Sequence, residues 1–109
     1  MANTFKNGYL DITSSNQTLY TTPASTTAVV IALRITNKNA TTADDVTAEI
    51  VDASSGQALI ASTMAVPNDT SVEIAQPSKL VLETGDYIQI KGGQASGYLE
   101  AFFSVLEIT

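Results

Sequence analysis

The chain has 109 residues, with eleven acids against five bases for a net charge of −6, and it contains no cysteine, histidine or tryptophan. That length fits one domain. The scattered Lys6, Arg34, Lys38, Lys79 and Lys91 on an acidic background argue against direct nucleic-acid contact, no run approaches the roughly twenty apolar residues of a membrane span, and missing cysteines exclude disulfides, thiolate nucleophiles and cysteine metal sites.

Period-two alternation and turn signals recur about every ten residues, the spacing of a sandwich or barrel. The N-terminal MANTFKNGYL has no apolar core, so no signal peptide is expected, and synthesis in a cytoplasm without a redox staple follows. Met1–Asn7 reads as a polar arm, and residues 8–109 as the folded domain. Gly8–Thr13 is the first predicted strand, and Gln17–Thr22 the second, closed by Pro23. Thr27–Thr36 is a central strand with Val29, Ile31, Leu33 and Ile35 on one face and Ala28, Val30, Ala32 and Arg34 on the other.

Asn37–Asp45 (NKNATTADD) is a loop of residues that bond their own backbone. Val46–Val51 follows, with Val46, Ala48 and Ile50 inward, then a turn at Ser54-Ser55-Gly56 and a return along Gln57–Val66. Pro67-Asn68-Asp69 turns into Thr70–Ala75, Pro77-Ser78 precedes a short Lys79–Leu82, and Glu83–Asp86 turns into Tyr87–Lys91. Gly92–Gly97 is a flexible connector to the last strand, Tyr98–Ile108. The expected fold is all-β, a single antiparallel β-sandwich of roughly eight to nine strands, jelly-roll-like. Its core should draw on Val29, Ile31, Leu33, Ile35, Ile50, Leu82, Ile88 and Ile90.

Little in the chain points to chemistry. Without histidine a nucleophilic serine such as Ser25 lacks its usual base, and neither a Ser-x-x-Lys nor a G-x-S-x-G pattern occurs. Asp44-Asp45 is the obvious carboxylate pair, with Asp52, Asp69 and Asp86 in other loops. Neighbours in sequence rarely flank a substrate as acid and base, and Gly-Asp is a turn signature. Calcium-loop spacing is absent. Tyr9, Tyr20, Tyr87 and Tyr98 could stack on sugars, but strand tyrosines more often lie half-buried with the hydroxyl at the rim. The Asn-x-Thr sequons at Asn16, Asn39 and Asn68 arise readily in a threonine-rich chain. No catalytic residue, metal or cofactor is expected.

The last strand says more. Leu99, Ala101, Phe103 and Val105 share one face, while Tyr98, Phe102, Leu106 and Ile108 share the other. A strand apolar on both faces needs cover on both, and a two-layer sandwich covers one. A contact between copies through Leu99, Phe102, Phe103, Val105 and Leu106 is therefore expected.

The segments MANTFKNGYLDIT, LYTTPASTTAVVIALRITN, LVLETGDYIQI and YLEAFFSVLEIT together resemble small β-sandwich virion structural proteins of tailed bacteriophages. The resemblance implies a capsid decoration (cement) protein, often a homotrimer, made in the host cytoplasm and carried on the virion with the major capsid protein as partner. It carries no catalytic or ligand residue across. Asn3, Thr4, Phe5 and Lys6 would then contact the capsid. A tail, neck or host-adsorption component stays open within that class, and a carbohydrate-binding or adhesin module using Asn37–Asp45 and Gly92–Gly97 outside it.

Overall fold

The computed structural model describes residues 2–75, 79–94 and 97–109. Among them the chain forms β1 (Asn3–Ile12), β2 (Gln17–Thr21), β3 (Thr27–Asn37), β4 (Asp44–Val51), β5 (Gln57–Val66), β6 (Thr70–Glu73), β7 (Leu80–Leu82), β8 (Tyr87–Gly92) and β9 (Leu99–Ile108), and no helix. The expected Pro77-Ser78 turn and part of the expected 92–97 connector lie outside the described residues. Two antiparallel sheets result. The first runs β1-β9-β3-β6 with β7 also on β3, and the second runs β2-β8-β4-β5. The order is nested, with the first strand beside the last, β2 beside β8, and the β4–β5 hairpin innermost.

Between the sheets, Leu33, Ile35, Leu82, Ile88 and Ile90 are fully buried, as expected, together with Val30, Val46, Leu99 and Val105. Ile50 packs against this core half-buried. Val29 and Ile31 do not join it, and the cause is a β-bulge. The pairing of β3 with β9 shifts between Val30 and Ala32. One extra residue there reverses which face the following side chains meet. Ala28 and Val30 point inward before the shift, and Leu33 and Ile35 after it, so Val29 is left on the outer face.

The bulge region needs its own hydrogen bonds, because β7 pairs with Ala28–Val30 and β6 with Arg34–Asn37. Glu73, at the end of β6, bridges the interval. Its Oε2 accepts from the Leu33 N–H at 2.7 Å and the Ala75 N–H at 3.1 Å, while the Ile74 N–H donates to the Leu33 carbonyl at 2.9 Å.

The expected polar arm is a correction. Asn3–Asn7 form the first half of β1, in an unbroken register with β9 from Asn3 opposite Ile108 to Ile12 opposite Leu99. The reason is the length of β9: its second half, Ser104–Ile108, needs a ladder partner on this side, and Asn3–Asn7 supply it. Gly8 makes the close pairing possible. A Cβ there would stand 2.6 Å from Cζ of Phe103, whose ring lies 5.4 Å from that of Tyr20, centroid to centroid.

Gly8→Ala should therefore push the Phe103 ring off its seat and destabilise the fold by about 1–3 kcal/mol. Urea unfolding measures this as a lower midpoint at unchanged slope. Asn7→Ala, on the opposite face of the same strand, should stay within about 0.5 kcal/mol of wild type.

Candidate association surface

Alternation along β9 puts Leu99, Ala101, Phe103, Val105 and Glu107 inside, and Glu100, Phe102, Ser104, Leu106 and Ile108 on the outer face of the first sheet. Partners in an antiparallel ladder share a face, so the registers define rows across that outer surface. One row reads Tyr9, Phe102, Arg34, and another reads Phe5, Leu106, Val29, Val81. Tyr9 is 85% exposed, Phe5 73%, Val81 60% and Phe102 38%. Four large apolar side chains on one sheet face form a patch, whereas Leu59 and Met64 on β5 are the scattered kind that needs no explanation. A charged rim closes one end, where Lys38 Nζ meets Asp11 Oδ1 at 2.8 Å and Glu100 Oε2 at 3.4 Å. The hydrogen bond it donates to Asp11 holds the Lys38 ammonium above its ordinary pKa.

Behind the patch, the inner side of β1 is tied down by charge. Glu107 is buried, accepts from the Tyr20 hydroxyl at 2.6 Å, and pairs with Lys6 Nζ at 2.9 Å. The Tyr20 hydrogen bond, then Lys6, holds the Glu107 carboxyl below the usual carboxylate range. Burial, then the bond to Glu107, pushes the Tyr20 hydroxyl well above the usual phenol range.

Among the acids weighed for chemistry, Asp44, Asp52 and Asp86 accept hydrogen bonds from loop groups, while Asp44 Oδ2 is buried without a partner. An open depression of about 660 Å³ at one end of the sandwich is lined by Ser25, Asp52, Ser54, Glu83, Thr84 and Asp86 among others. Asp86 accepts from the Ala53 N–H at 3.1 Å and the Glu83 N–H at 2.9 Å, pinning two loops together. Asp52 accepts from the Ser54 hydroxyl at 2.6 Å, which holds its carboxyl below the ordinary value. Ser25 occupies a left-handed turn position with φ 53°, and Asp69 does the same. Asp44 is buried with its Oδ1 accepting from the N–H groups of Asp45 and Gly93. Its Oδ1 and that of Asp45 both lie 2.9 Å from where a Cβ on Gly93 would stand. No group of three or more potential metal-ligating acids occurs among the described residues.

The loop offered as a sugar site is likewise held from within. Buried Asn37 donates to the carbonyls of Thr42 and Val66, each at 3.0 Å, and accepts from the Asn39 N–H at 2.9 Å. Asn39 in turn accepts from the N–H groups of Thr41 and Thr42. Tyr9 and Tyr20 do not share a platform: Tyr9 stands on the outer face of the first sheet and Tyr20 lies between the sheets.

Of the residues expected at a contact between copies, Leu99, Phe103 and Val105 point into the sandwich and are unavailable, because the second sheet already covers that face. Phe102 and Leu106 do face outward. Among Asn3, Thr4, Phe5 and Lys6, the register puts Asn3 and Phe5 on the outer face and turns Thr4 and Lys6 toward Glu107 and Val105. Sequence reasoning missed Tyr9, Val29 and Val81. Tyr9 was legible, since Phe5, Asn7, Tyr9 and Asp11 alternate in phase with Gly8, Leu10 and Ile12. Val29 was hidden by the bulge.

No family model matches the chain, and no curated protein matches it in sequence. Its fold is similar to that of a chain from the acidic stable capsid of Helicobacter pylori bacteriophage KHP30. That match has TM-score 0.60 and 10% identity, over 100% of this chain and 89% of that one. It is also similar to a chain of the Bacillus endospore appendages, a family of disulfide-linked pili. There the TM-score is 0.58 and the identity 14%, over 99% of this chain and 87% of that one. At these identities the likeness is one of fold.

Two outcomes follow from the polar groups. Because the folded state depresses the Glu107 pKa, its contribution is complete above about 4.3, the unfolded value, and is lost as pH falls through the folded one. Urea midpoints taken from pH 7 to pH 3 should therefore drop on acidification, and Tyr20→Phe should shrink that drop. Asp86→Ala should lower stability by about 0.5–2 kcal/mol, the range for losing such turn hydrogen bonds, without changing the far-ultraviolet dichroism.

Proposed function

We propose that this is a non-enzymatic virion structural protein, and specifically a capsid decoration (cement) protein that reinforces the head. The observation that carries the reading is the outer face of the first sheet. It exposes Phe5, Tyr9, Phe102 and Val81 together on a rigid domain, while Asp52 and Asp86 in the end depression are engaged in holding loops. Aromatic side chains on a flat, preformed surface suit protein–protein contact at low ordering cost. The fold likeness to a phage capsid chain supports the same reading. In it the outer face lies on the shell, and Asn3 and Phe5 reach the major capsid protein, while Thr4 and Lys6, turned to the other side, do not. A place on the virion belongs to this proposal; the homotrimer that the resemblance implies does not. The likeness to a pilus chain supports a second reading, a subunit of a surface filament. Having no cysteine, this chain would build one without disulfide links.

The test is binding to capsids that lack this chain, with thermal release of their contents as the readout of reinforcement. Wild-type protein should bind and raise the release temperature. Phe102→Glu and Val81→Glu should fold normally and bind at least about 30-fold more weakly, the effect of losing an interface anchor worth some 2 kcal/mol. Capsids that ignore the protein, or bind both variants like wild type, would contradict the proposal.

A further inference from the structure

We propose that two copies of this chain pair edge to edge through β1, antiparallel about a two-fold axis at Asn7, so that their first sheets become one. This contact is independent of what the outer face touches.

Among the described residues, only one edge of the sandwich is fit to be extended. On the second sheet, β5 loses register against β4 at two places, and Thr63 sits at φ 49° with its N–H bound by the Thr47 hydroxyl. The opposite edge, β2, has five residues and a shift between Thr18 and Tyr20. On the first sheet, β6 and β7 have four and three residues. Bulges and short strands are the devices that stop an edge from recruiting another strand. β1 has neither: it runs ten residues with no register shift. Its one inward charge, Lys6, which would also discourage pairing, is neutralised on Glu107.

The hydrogen-bond phase then selects the register. The Thr109 N–H donates to the Ala2 carbonyl at 2.9 Å. In an antiparallel ladder bonded pairs alternate, so the even residues of β1 bond to β9. Asn3, Phe5, Asn7, Tyr9 and Asp11 turn their N–H and C=O groups to the open edge. Two such edges bond only where odd residues meet odd ones. Centring the pair on Asn7 places Asn3 opposite Asp11, Phe5 opposite Tyr9 and Asn7 opposite itself, with about ten new backbone hydrogen bonds. Moving the centre by one residue either way loses pairs and sets Phe5 against Asn7 or Asp11.

The side chains agree with that register. Phe5 and Tyr9, the two most exposed large apolar residues among those described, form cross-strand aromatic pairs, a favoured combination. No like charges stand opposite one another, since Lys6 faces Gly8 and Asp11 faces Asn3. The outer rows become continuous across the axis: Arg34, Phe102 and Tyr9 of one copy run into Phe5, Leu106, Val29 and Val81 of the other. Because the contact is isologous it closes at two copies and cannot propagate a filament by itself.

The experiment uses the absence of native cysteine. Asn7→Cys puts two thiols across the axis on Cα atoms about 5.5 Å apart, within the roughly 4.4–6.8 Å that a disulfide spans. Under mild oxidation it should crosslink to a covalent dimer at least about 10-fold faster than Asn3→Cys or Asp11→Cys, whose self-distances in this register are too long. Sedimentation of wild-type protein should give twice the 11.4 kDa protomer mass. Asn7→Pro removes an N–H that points to the open edge, so it should leave the β dichroism intact and give monomer. A wild-type monomer at tens of micromolar, equal crosslinking at the three positions, or an assembly that survives Asn7→Pro would each overturn the proposal. Capsid binding by Val81→Glu, far from β1, reports separately on the virion reading.

Discussion

Burial of the inner face of β9 organises this molecule. Leu99, Ala101, Phe103 and Val105 need a second layer, and the sandwich supplies it. β9 also needs a ladder on each side, which β3 and β1 provide along its whole length. Much else follows from that central strand. Gly8 is bare because Phe103 occupies the space above it. Lys6 and Tyr20 converge on Glu107 because the inward phase of β9 ends in a carboxylate that cannot be buried alone.

The same phase has an outward half, and the fold leaves it bare. Phe102 and Leu106 are continued by Tyr9 and Phe5 on one side and by Val29 and Val81 on the other. A domain of this size holds a modest stability margin, and an exposed aromatic row adds nothing to the isolated protomer. The polar residues tell the complementary story: Asp86, Asp52, Asn37 and Asn39 are engaged in tying loops.

Strand positions were legible because they rest on period-two alternation and on turn residues, both local. The β5 span was readable to the residue, and the loop at Asn37 was recognised from residue types that bond their own backbone. Two features were not legible. A bulge inserts one residue without any change in composition, so Val29 and Ile31 read as core when the phase reverses beyond them. The length of β1 depends on a partner almost a hundred residues away, and Asn3–Asn7, polar and local, read as an arm. The apolar character on both sides of β9 was visible from the start. Which side the sandwich would cover was not, because that depends on how the whole ribbon folds over.

The central claim is that this protein works by association through the outer face and open edge of its first sheet, and not by chemistry in its loops. Hydrogen exchange on the protein free at high dilution and in its assembled state tests that directly. The account predicts new protection along Asn3–Asp11 and around Phe102, with exchange unchanged in the loops that hold Ser25, Ser54 and Thr84. Protection gained at those loops, with β1 exchanging as fast in the assembly as in the free chain, would contradict it.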